Sequence, residues 1–67
     1  MSSTEIRVHL LDLALERLTA ERMGLASDRH YMADLEEEIA AYRAAYVGAS
    51  ITELAVLRGE LFGRDQG

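Results

Sequence analysis

Glu5, His9, Asp12 and Glu16 are the residues of this chain best spaced to do chemistry. Separations of four, three and four residues put them on one stripe of a helix, where carboxylates and an imidazole could converge on a divalent cation. The spacing lacks the Glu-x-x-His pairing that di-iron bundles draw from facing helices, and it equally describes the polar border of an amphipathic helix. No metal site is therefore expected, and a metal-binding helical dimer that pools two copies of the stripe is the outlying alternative. Ser27, Asp28 and His30 bring nucleophile, acid and base types into one short run. A triad is a three-dimensional constellation rather than a local string, and a chain of 67 residues has little material with which to enclose a substrate. None of the acids lies in an apolar stretch that would raise its pKa for proton transfer. The expectation is no catalytic residue, no cofactor and no enzyme activity.

Composition narrows the remaining classes. Cysteine is absent, which excludes disulfides, thiol catalysis and cysteine-ligated zinc. Twelve carboxylates face seven arginines, and the net charge is -5. Arginines scattered singly among acids make no basic stripe, so the phosphate neutralisation that drives nucleic-acid binding is missing, and direct binding of nucleic acid is not expected. No run of 18 apolar residues occurs, which argues against a membrane partner. Met1 to Glu5 has no basic flank and does not read as a signal peptide, so a cytoplasmic location is expected.

The elements that must position these side chains are helices. Proline is absent, and apolar residues recur at helical spacing almost throughout. Ser2 and Glu5 form a capping box for a first helix over 4–23, with Val8, Leu11, Leu15 and Leu18 as its apolar line, widened by Leu10, Leu13 and Ala14 into a face suited to more than one neighbour. Gly24 suits a left-handed cap, and Ser27 or Asp28 can start a second helix over 28–62. There Met32, Leu35, Ile39, Tyr42 and Tyr46 make one apolar line. Beyond it the stripe shifts to Val47, Ile51, Leu54, Leu57 and Leu61.

A break at 48–50 is the open point. Ser50-Ile51-Thr52-Glu53 reads as a second capping box, whereas a lone glycine within a helix costs only ~1 kcal/mol, and one long helix is favoured. Residues 64–67 are expected to fray. The segment Ile51 to Gly59 resembles the first helix and turn of a helix-turn-helix, which implies a following recognition helix in the major groove. Glu60 to Gly67 is too short to supply that helix.

Length then bears on assembly. Helices of these lengths span about 30 Å and about 50 Å, so folding one on the other leaves the far part of the second without an intrachain partner. The expected fold is all-α: one domain over 1–67, a helical hairpin with a short first helix and a long second helix, kinked or straight, dimerising into an antiparallel helical bundle. The residues expected at the interface are Leu35, Ile39, Tyr42, Tyr46, Ile51, Leu54, Leu57, Leu61 and Phe62. Asp34, Glu36, Glu37 and Glu38 form an acidic face suited to a basic surface on another protein. The function this implies is protein–protein interaction or regulation by a homodimer. The rival is an antitoxin-like, inhibitor or transcription-accessory subunit that docks on a different protein.

Overall fold

In the computed structural model, which describes residues 1–63, the chain is a hairpin of two helices. Helix α1 (Ser3–Arg22) and helix α2 (Arg29–Phe62) are joined by a left-handed glycine and a single 3-10 turn, Leu25–Ser27. Each boundary has a local cause. Ser2 caps α1: its hydroxyl accepts from the Glu5 N–H at 3.2 Å, and its own N–H donates to the Glu5 carboxylate at 3.0 Å. This reciprocal pair starts the helix at Ser3, one residue before the expected position. Gly24 ends it with φ of 80°, a conformation that costs glycine little because it carries no Cβ. Ser27 Oγ then donates to the Gly24 carbonyl, and the Asp28 side chain caps α2 by accepting from the Tyr31 N–H at 3.1 Å.

Helix α2 runs uninterrupted through Gly48, Ala49 and Ser50. The groups that could have stopped it are used otherwise. Thr52 Oγ1 donates back to the Gly48 carbonyl at 3.0 Å, a bond made within a continuing helix. Glu53 turns away from Ser50 and meets the start of α1. Gly59 also lies inside the helix, so the segment resembling a helix-turn-helix contains no turn. The expected frayed tail, 64–67, lies outside the described residues. Among the described residues no helix is long and apolar enough to cross a membrane.

The core is a narrow seam between the two helices. Leu13, Leu35 and Ile39 are buried together, with Leu10, Tyr31 and Tyr42 packed against them. Ile6 and Ala20 are buried towards either end of α1. On α1 the seam is Ile6, Leu10, Leu13, Arg17 and Ala20, spaced by four and three as in a two-helix coiled coil. Of the broad apolar face expected on α1, Leu10 and Leu13 turn inward, and its central line does not. Val8, Leu11, Leu15 and Leu18 lie on the opposite side of α1 and are 51–62% exposed.

The outline is a rod. The molecule measures 61 × 16 × 12 Å. Its radius of gyration is 17.4 Å, against about 11 Å for a compact chain of this length.

Candidate functional site

Polar contacts along the flanks of the seam fix how far the two helices overlap. Near the turn, Tyr31 Oη donates to the Glu16 carboxylate at 2.6 Å, and Arg17 pairs with Glu36 at 3.1 Å. The Glu16 carboxylate raises the Tyr31 pKa, because it accepts the phenolic proton and opposes a phenolate beside it. Further along, His9 stacks on Tyr42 with ring centroids 5.2 Å apart and 19° between the planes. At the far end the Glu53 carboxylate spans the first turn of α1, accepting from the Ser3 N–H at 2.8 Å and the Ser3 hydroxyl at 2.6 Å. Those two bonds hold the Glu53 pKa below the ordinary carboxylate value, as the cap bonds from Ser2 do for Glu5. Helix α1 therefore reaches along α2 as far as Glu53, and the last turns of α2 project beyond it.

The same contacts account for the proposed metal stripe. Glu5 is engaged in its capping box, His9 stacks on Tyr42, and Glu16 accepts from Tyr31. Among the described residues no group of three or more metal-ligating side chains comes together. His30 is exposed at the start of α2.

The expected interface residues divide into two sets. Leu35 and Ile39 are 4% and 7% exposed, enclosed within the hairpin, and Tyr42 and Tyr46 are half-buried. In this conformation Leu35 and Ile39 are not offered to a second chain. Ile51, Leu54, Leu57 and Leu61, together with Val47, are 49–62% exposed, and Phe62 is exposed at the end of the helix. A contiguous apolar line of this kind on so small a monomer is the usual mark of an interaction surface.

The acidic face divides as well. Glu36 is held by Arg17, whereas Asp34, Glu37 and Glu38 surround Ala41 in a shallow exposed depression. A second depression lies on the distal half of α2, lined by Ile51, Leu54, Ala55 and Arg58. A third, between the helices, is an open groove with Leu10, Ala14 and Leu18 on one wall and Ile39 and Arg43 on the other. Sequence reasoning missed Glu53 as the residue that ties α2 to the start of α1. Its partner lies 50 positions away, and its local spacing from Ser50 pointed to a different bond.

The described residues present apolar rows and acidic patches, with shallow open depressions and no closed pocket among them. Comparison with protein-family models, with curated proteins and with solved structures finds no match for this chain.

Proposed function

We propose that this protein is a small helical interaction module that acts as a homodimer. The observation that carries the reading is the exposed line Val47, Ile51, Leu54, Leu57 and Leu61, which continues along α2 past the end of α1. The exposed area supports it. The chain presents 5403 Å² to solvent, about a quarter more than the roughly 4,200 Å² expected of a compact chain of this mass. That excess is of the order that one partner contributes to a stable interface, about 800 Å².

A second reading is a subunit that docks on a different, basic protein. It is favoured by Asp34, Glu37 and Glu38, which remain exposed around Ala41. Light scattering on the purified chain separates the two. A mass of two chains that falls to one in Leu54→Asp supports self-association. A wild-type particle of one chain at every concentration overturns it and leaves the foreign partner.

A further inference from the structure

We propose that two copies of this hairpin pair through α2 in antiparallel sense, about a two-fold axis level with Val47 to Ile51. This arrangement rests on the self-association proposed above and fixes its face and its direction.

The face is a second row on α2: Ala33, Glu37, Ala40, Ala44, Val47, Ile51, Leu54, Arg58 and Leu61. Its members are separated alternately by four and three residues, the repeat that keeps one side of a helix against a partner helix. Every member is exposed. At about 100° per residue the row lies roughly 130° around α2 from Leu35, Ile39 and Tyr42, so a helix seated on it does not compete with α1. Three members of this row, Ile51, Leu54 and Arg58, line a shallow depression together with the adjoining Ala55. Their spacing of i, i+3, i+4 and i+7 is that of the four-residue hole into which a facing helix inserts a side chain.

The direction follows from the order of sizes and charges. The first half of the row is small, with Ala33, Ala40 and Ala44, and the second half is large, with Val47, Ile51, Leu54 and Leu61. Parallel pairing would set alanine against alanine and leucine against leucine, leaving gaps at one end and crowding at the other. It would also bring Glu37 to Glu37 and Arg58 to Arg58. Antiparallel pairing sets the small half of one row against the large half of the other and separates the like charges. With Val47 beside Ile51 of the partner subunit, Ala44 faces Leu54 of the partner subunit. Arg58 then crosses Ala40 of the partner subunit, one turn from Glu37 of the partner subunit. The charge pair occurs twice by symmetry at the rim, where it selects orientation more than it adds affinity.

The absence of cysteine makes the test direct. Ala44→Cys and Leu54→Cys are mixed, allowed to exchange subunits and oxidised, and the products are weighed by mass spectrometry. The expected result is a mixed 44–54 disulfide in excess of both self-disulfides, because only that pair comes within bonding distance across the axis. Leu61→Cys, oxidised alone, is expected to give none. Separately, Arg58→Glu and Glu37→Arg each weaken dimerisation about tenfold, and the double variant recovers it. A dimer whose Leu61→Cys variant crosslinks to itself, or whose double charge variant does not recover, overturns this pairing while self-association stands. A wild-type chain that stays monomeric overturns both.

Discussion

Glu53 shows how one side chain couples distant parts of the rod. Its carboxylate receives two hydrogen bonds from Ser3, at the positive end of α1, and no other polar contact of the described residues joins the start of α1 to α2. The bonds favour the ionised form, so its folded pKa lies below the unfolded value of 4.5, and Glu5 is shifted in the same direction by Ser2. The unfolded chain therefore binds more protons than the folded one in that range. The stabilisation is fully present above pH 4.5 and is lost as pH falls through the folded pKa values. Thermal melts followed by circular dichroism are expected to show a midpoint that drops below pH 4.5, and a smaller drop in Glu53→Gln. Parallel pH profiles for the two proteins would show that the Ser3 bonds do not favour the ionised carboxylate.

At the scale of the element, the continuity of α2 carries a clear expectation. Gly48 sits in helical backbone, and a Cβ added there meets nothing within 4 Å. Gly48→Ala should therefore stabilise the protein by about 0.5–1 kcal/mol, through lost backbone freedom in the unfolded chain. Were the helix to break at 48–50, alanine would be neutral or harmful, so the sign of the change in melting temperature decides. The helices themselves were legible in the sequence, because caps such as Ser2 with Glu5 and Asp28 are local devices and the apolar period is close to 3.6. Which face of α1 turns inward was not. Ile6, Leu10, Leu13 and Ala20 compete with Val8, Leu11, Leu15 and Leu18, two rows of similar apolar content on opposite sides of one helix. In the folded chain the first row meets Leu35 and Ile39 across the Gly24 to Asp28 turn, with Arg17 and Glu36 paired at the surface beside it. That match is tertiary, and the periodicity of α1 alone does not carry it. The distal half of α2 was readable for the opposite reason: its apolar residues outrun the length of α1, which is a matter of counting.

For the whole molecule the question is whether one hairpin can stand alone. Among the described residues its seam buries only Ile6, Leu13, Ala20, Leu35 and Ile39. Leu10, Tyr31 and Tyr42 pack against that seam only in part, which makes a thin core for a chain of this size. Much of the exposed apolar surface lies on Val8, Leu11, Leu15 and Leu18 of α1 and on the distal half of α2. If a second copy buries part of that surface, folding and association become one equilibrium, and stability must depend on protein concentration. The melting temperature of the wild-type chain is therefore expected to rise steadily as concentration is raised from micromolar to millimolar. Leu54→Asp should abolish that dependence and lower the helical signal at every concentration, because it places a charge in the row that the partner covers. A sharp melt at one temperature across the whole concentration range would mean that the hairpin stabilises itself, and that its exposed rows serve a partner other than its own copy.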